Sequence, residues 1–242
     1  MKYQGGKSLT SERIRDVIKK HTNNLNGVQH WVEPFVGGNN FAHRIPPEIK
    51  KFLSDINPYV VAVYEARMQG WRPPTHVTRD RYEELRQKAK EGITGSLAYM
   101  AEVGFVGYCC SYGAKFFGGY ASNAQGHNYA KSGTNSLVRK TRRMPNTIVQ
   151  CCNYKDISVP PNSVVYLDPP YEGVTSYKDT PKFNSDVFWE WAAGVKSKEH
   201  NITVFVSEFD APGNWTEIWS LNRVVNIGDT RRTVTEKVFT LI

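Results

Sequence analysis

The chain has 242 residues, 40% hydrophobic and 22% charged, with a formal net charge of +8. That length accommodates one large α/β domain, or one domain with an insert, and supplies ample material for a core. The sequence turns polar within a few residues of its start and no apolar stretch approaches the length of a bilayer crossing, so neither a secretory leader nor a membrane span is expected. The basic balance favours a polyanionic partner, nucleic acid ahead of a membrane surface or an acidic protein.

The elements follow in chain order. "SERIRDVIKKHT" carries Ile14, Val17 and Ile18 at helical spacing behind possible caps at Thr10 and Ser11. "HWVEPFVGG" reads as a strand running into a glycine turn, and "FLSDINP" as a second short strand ending on an acid. "RDRYEELRQKAKEG" is a polar amphipathic helix stopped by Gly92, after which the glycine- and tyrosine-rich section from Gly104 to Arg143 reads as a long loop of a kind a core α/β unit seldom needs. Strands resume with "NTIVQCC", "SVVYLDPPY" and "NITVFVSEF", and "RVVNI" with "EKVFTLI" closes the sheet as a hairpin. The expected organisation is a mostly parallel sheet built from residues 1–60 and 148–242, interrupted by an insert over 61–147. The four cysteines form two adjacent pairs, Cys109-Cys110 and Cys151-Cys152, a spacing unlike a zinc site and in a chain too large to need staples. Reduced thiols are expected, and no metal.

Three strand ends carry the chemistry. In "EPFVGG", Gly37 and Gly38 follow a strand directly, where the backbone turns tightly and a ligand can approach; the GxGxxG of dinucleotide sites is missing. Asp55 closes the next strand, a position from which a carboxylate accepts hydrogen bonds from ribose hydroxyls. An adenosine-type cofactor without a diphosphate fits this pair. In "VVYLDPPYEG", a short apolar run ends on Asp168, Pro169, Pro170 and Tyr171. The prolines donate no backbone hydrogen bond and fix their own φ, so rigid carbonyl acceptors stand beside an acid and an aromatic face, at the edge where open α/β sheets bind ligands. Such an acceptor set suits a planar ring bearing an amino group.

With these motifs assembled, the chain resembles the DNA adenine N6-methyltransferases of the Dam-like group, in particular the orphan adenine methylases of bacteriophages and prophages. The likeness spans nearly the full length and rests on "KYQGGK", "EPFVGG", "SDINP", "NYKDI" and "LDPPY", in that order, with "YGAKFFGGYA" similar to phage-type members. It implies a Rossmann-like S-adenosylmethionine-dependent methyltransferase fold with a mainly helical and loop target-recognition insert, acting on double-stranded DNA in the cytoplasm of a bacterial or phage-infected cell. No obligate protein partner is implied.

By the same resemblance, Glu33, Phe35, Gly37 and Gly38 flank S-adenosylmethionine, Asp55 holds its ribose, and Asp156 with Ile157 faces its adenine. Tyr3 and Lys7 lie over its methionine end and the catalytic pocket, and Asp168 borders the cofactor as well as the target base. Asn39 and Asn40 stand where relatives often carry a third glycine and an apolar residue, a departure that bears on the local turn. Asp168 and the Pro169 carbonyl would each accept a hydrogen of the adenine amino group, drawing its lone pair toward the methyl, with Pro170 and Tyr171 completing the pocket for a base flipped out of the helix. In the insert, Lys115, Lys131, Arg139, Lys140, Arg142 and Arg143 can neutralise phosphates, while Asn123, Gln125, His127 and Asn128 are of the types that read base edges. An RNA amino-methyltransferase and a non-catalytic DNA-binding relative that masks sites remain the alternative classes.

Overall fold

The computed structural model describes residues 1–3, 6–122, 126–170, 183–196, 200–227 and 230–241. Among these, seven strands form one sheet in the order β3-β2-β1-β4-β5-β7-β6. The strands are β1 (His30–Glu33), β2 (Lys50–Asp55), β3 (Thr147–Cys151), β4 (Ser163–Leu167), β5 (Ile202–Glu208), β6 (Thr216–Ile227) and β7 (Thr230–Thr240). The first five are parallel, and β7 runs antiparallel against both β5 and β6. The expected class therefore holds: a mostly parallel sheet with a C-terminal antiparallel hairpin. The hairpin is longer than "RVVNI" suggested, because β6 starts at Thr216.

Every residue of β4 is buried because both faces of the sheet are covered. Val164 and Tyr166 enter one apolar cluster with Ile14 and Ile18 of helix α1 (Ser11–His21), whereas Val165 and Leu167 join Phe188, Trp189 and Ala192 of helix α6 (Ser185–Val195) on the other face. Alternation along one strand thus builds two cores.

Four helices separate β2 from β3: α2 (Pro58–Met68), α3 (Arg79–Lys90), α4 (Leu97–Cys109) and α5 (Tyr129–Thr141). Asn57 starts α2 by accepting the Tyr59 N–H at 3.0 Å, with Pro58 in the first turn where its missing N–H costs nothing. The section expected as a loop from Gly104 onward is in fact the second half of α4, an irregular connection, and α5. Gly104 misleads because its role is contact: a Cβ there would stand 2.3 Å from the Tyr59 carbonyl oxygen, so α4 and α2 approach backbone to backbone. Position 61, the expected start of the insert, falls inside α2, and Val60, Tyr82, Tyr108 and Leu137 share one continuous core with Trp31 and Phe205 of the sheet.

Candidate active site

The chain runs outward from β1 to β2 and β3, then returns to place β4 on the other side of β1. The carboxyl ends of β1 and β4 therefore flank a switch point, the usual ligand crevice of an open α/β sheet. Glu33, Asp55 and Asp168 stand at or just beyond the ends of three neighbouring strands.

The glycine turn after β1 is fixed from several sides. Gly37 has φ +38°, and a Cβ on it would lie 3.0 Å from the Tyr3 ring; a Cβ on Gly38 would meet the Tyr3 Cβ at the same distance. Both glycines let Tyr3 cross the turn, and Gly37 also supplies a conformation costly to other residues. Asp55 Oδ2 accepts the Gly37 N–H at 3.0 Å and its Oδ1 accepts the Asn57 N–H at 3.0 Å. Burial raises the Asp55 pKa to about 6, with these bonds opposing the rise, so it is ionised at neutral pH and each oxygen retains a lone pair. Tyr64 donates to the Gly37 carbonyl at 2.9 Å. Asn39, where the resemblance leads one to expect glycine, adopts φ +50° and donates from its side chain to the Met144 sulfur at 2.8 Å. Asparagine tolerates this left-handed conformation better than most residues, so the turn survives the replacement.

Asp168 follows directly on β4, its side chain 20% exposed. Lys7 Nζ lies 3.0 Å from Asp168 Oδ1 and 3.1 Å from Glu236 Oε1, and Arg223 holds Glu236 Oε2 at 2.7 Å. Thr10 Oγ1 also donates to Glu236 Oε1, at 3.3 Å. Two cations and two carboxylates thus form a chain, Asp168–Lys7–Glu236–Arg223, in which both Lys7 and Glu236 are nearly inaccessible. Burial raises the Asp168 pKa, while Lys7 pulls it back. Glu236 is instead held below the usual carboxylate range, Lys7 and Arg223 outweighing the opposing effect of burial. β7 is antiparallel and pairs Lys237 with Glu208, so Glu236 stands at the same edge as Asp168. Sequence reading missed Glu236, Arg223 and the Thr10 bond. A signal was present, since Glu236 is in phase with buried Val238 and a carboxylate on the core face of a strand needs a partner.

Glu33 is buried and takes its hydrogen bond from Trp31 Nε1 at 3.1 Å, within its own strand. Burial raises its pKa to about 8, leaving a mainly protonated acid beneath the crevice. Beyond β1, Phe35 stacks on Tyr154 with ring centroids 5.3 Å apart and meets Phe183 and Phe188 edge-on. Ile157 is buried behind this aromatic wall, whereas Asp156 is exposed. Pro169 is buried and Pro170 exposed.

The expected nucleic-acid residues divide. Lys115, His127, Lys131, Arg139, Arg142 and Arg143 are exposed. Lys140 is not: it is 8% exposed and its Nζ donates to the Gly38 carbonyl at 2.6 Å and to Asn40 Oδ1 at 3.3 Å. Its expected phosphate contact is corrected to a brace under the glycine turn, with burial lowering its pKa to about 8. Asn128 caps α5 by accepting the Lys131 N–H at 2.9 Å and donates to the Thr75 carbonyl at 3.1 Å, so its amide also holds local structure. Tyr171, Asn123 and Gln125 lie outside the described residues. Arg142 and Arg67 line an open cleft of about 410 Å³ where β3 begins, at the opposite edge of the sheet from Asp168.

The four cysteines are free thiols. Among the described residues, no cluster of three potential metal ligands occurs, and no helix is long and apolar enough to cross a membrane.

Comparison with the curated proteins gave no match. Among solved structures, the chain is similar to a "putative methylase" from Haemophilus influenzae, at 12% identity and a TM-score of 0.32, over 94% of this chain and 88% of that one. The model of the D12 class N6 adenine-specific DNA methyltransferases matches residues 3–192, from the Tyr3 that crosses the glycine turn to the helix that follows the Asp168 strand. That match spans the glycine turn, Asp55 and Asp168, and the chain belongs to the D12 class of N6 adenine-specific DNA methyltransferases.

Proposed function

We propose that the protein transfers the methyl group of S-adenosylmethionine to the N6 amino group of an adenine extruded from duplex DNA. The observation that carries this reading is the Lys7–Asp168 pair, 3.0 Å apart, at the switch point beside the glycine turn. The residues fit the cofactor: ionised Asp55 has lone pairs for ribose hydroxyls, two glycines let Tyr3 pack over the turn, and Phe35, backed by Ile157, offers an apolar face to an adenine ring. Bound S-adenosylmethionine supplies an electrophilic sulfonium methyl.

The remaining work falls to the chain. An adenine amino group is a weak nucleophile because its lone pair is delocalised into the ring. Lys7 fixes the Asp168 carboxylate in place, and that carboxylate with the Pro169 carbonyl accepts the two amino hydrogens. The nitrogen is drawn toward tetrahedral geometry with its lone pair aimed along the line of displacement. The proton shed by the alkylated nitrogen passes to the hydrogen-bonded Asp168 carboxylate and on to solvent. Incubating the protein with S-adenosylmethionine and unmodified duplex DNA is expected to give N6-methyladenine, measured by nucleoside mass spectrometry. Product only as N4-methylcytosine, or methylation of RNA and not DNA, would refute the reading.

Exposed Lys115, Lys131 and Arg139 support a DNA surface on the segment between β2 and β3. Each phosphate neutralised contributes about −0.9 to the log-log slope of affinity against salt. Replacing these three residues with alanine is therefore expected to flatten the slope measured by fluorescence anisotropy. An unchanged slope would move the DNA surface elsewhere.

A further inference from the structure

Leu9 is 82% exposed, the most exposed large apolar residue described, yet it sits in a turn held by hydrogen bonds on both sides. The Thr10 and Ser11 N–H groups both donate to the Lys7 carbonyl, at 3.1 and 2.8 Å. On either side of the tip, Lys7 Nζ and Thr10 Oγ1 both reach Glu236 Oε1, at 3.1 and 3.3 Å. Lys7, Thr10 and Ser11 are buried, so Ser8 and Leu9 alone project. With consecutive Cα atoms about 3.8 Å apart, Leu9 lies within about 7.6 Å of the backbone of Lys7, whose ammonium touches Asp168. A surface position gains nothing in water from a rigidly presented leucine. A base stack with a vacancy does, because an apolar wedge between base steps replaces the contacts that unstacking removes.

We propose that Leu9 enters the duplex as the target adenine leaves it, filling the gap beside the site. This rests on the reading of the protein as a duplex-DNA adenine methyltransferase. The net charge of +8 favours a polyanionic partner, and the bonds of Lys7 and Thr10 to Glu236 hold the base of the tip in place. Leu9 is a positioning residue and touches no reacting atom.

The test uses the full chain and two synthetic duplexes carrying a methylated site mapped in the product analysis. In one the target adenine is paired with thymine, and in the other it faces an abasic site, where extrusion is cheapest. Leu9→Ala is expected to slow single-turnover methylation of the paired duplex by about tenfold, or about 1.4 kcal/mol, and to leave the abasic-opposed duplex near the parental rate. Leu9→Phe, which keeps a wedge, should hold most of the rate on both. An Leu9→Ala protein at parental rate on the paired duplex, or equally slow on both, overturns the proposal. A parental protein that methylates neither duplex overturns the DNA reading itself, and this inference with it.

Discussion

Asp168→Ala is expected to lower the single-turnover rate of methyl transfer at least about a hundredfold, a loss of about 3 kcal/mol, while cofactor affinity stays within about tenfold. In the proposed mechanism the carboxylate's interaction with the amino hydrogens strengthens as the nitrogen gives up its lone pair, so chemistry should suffer more than binding. The magnitude follows the loss of one preorganised group from a site that stabilises developing charge. Asp168→Asn should be similarly slow despite its shape, because the amide offers one neutral acceptor and a donor that opposes the amino group. Phe35, in the turn after β1, and Asp55, at the end of β2, to which cofactor contacts are assigned, are left unchanged by the substitution on the β4 side. Single-turnover methylation and cofactor titration on the same preparations separate the two effects. Near-parental transfer by Asp168→Ala would remove the proposed mechanism.

Much of the sheet was legible because its strands are short apolar runs ended by acids, glycines or prolines. β4 is the clearest case: Ser163–Leu167 is buried on both faces, and two prolines mark where it stops. The helices of the middle segment were harder. α4 contains Gly104 and Gly107, which read locally as loop, yet each is a contact point where a Cβ would strike a neighbouring carbonyl or the Phe116 ring. Only the packed partner makes a glycine favourable in a helix, and that partner lies far along the chain. Lys140 failed for a related reason. In isolation it belongs to a basic cluster, but Ala130, Gly133, Thr134, Leu137 and Lys140 recur at helical spacing and all are buried. Its position on α5 decides its role, and charge alone does not.

The site divides the same way. Gly37, Asp55, Lys7 and Asp168 could be singled out in the sequence because each lies in a contiguous motif. Glu236 and Arg223 come from the hairpin, with no motif around them, and Glu236, held by Arg223, reaches Lys7 only because β7 turns back along β5. Their phase in the strand pattern was visible, but which cation Glu236 meets depends on the topology.

Lys7→Met is expected to destabilise the protein by about 3 kcal/mol, the scale on which breaking a buried ion pair leaves a carboxylate without its cation. The parental network balances two cations against two carboxylates; the variant leaves Arg223 alone against Asp168 and Glu236. Lys7 lowers the Asp168 pKa, so its removal lets burial raise that pKa further. A carboxyl whose folded pKa exceeds its unfolded one binds more protons when folded, so its contribution to stability is present at acid pH and lost as pH rises through the folded value. The Lys7→Met deficit should therefore be smallest in acid and grow toward neutrality. Any residual methylation should need a higher pH than in the parent, since Asp168 must ionise before it accepts the amino hydrogens. Adding Asp168→Asn to Lys7→Met restores the balance, leaving Glu236 paired with Arg223, and should recover more than half of the lost stability. Urea midpoints across pH for the parent, both single variants and the double variant test the coupling. Losses that simply add, or a Lys7→Met deficit that does not change with pH, would show that Lys7 does not carry the Asp168 charge.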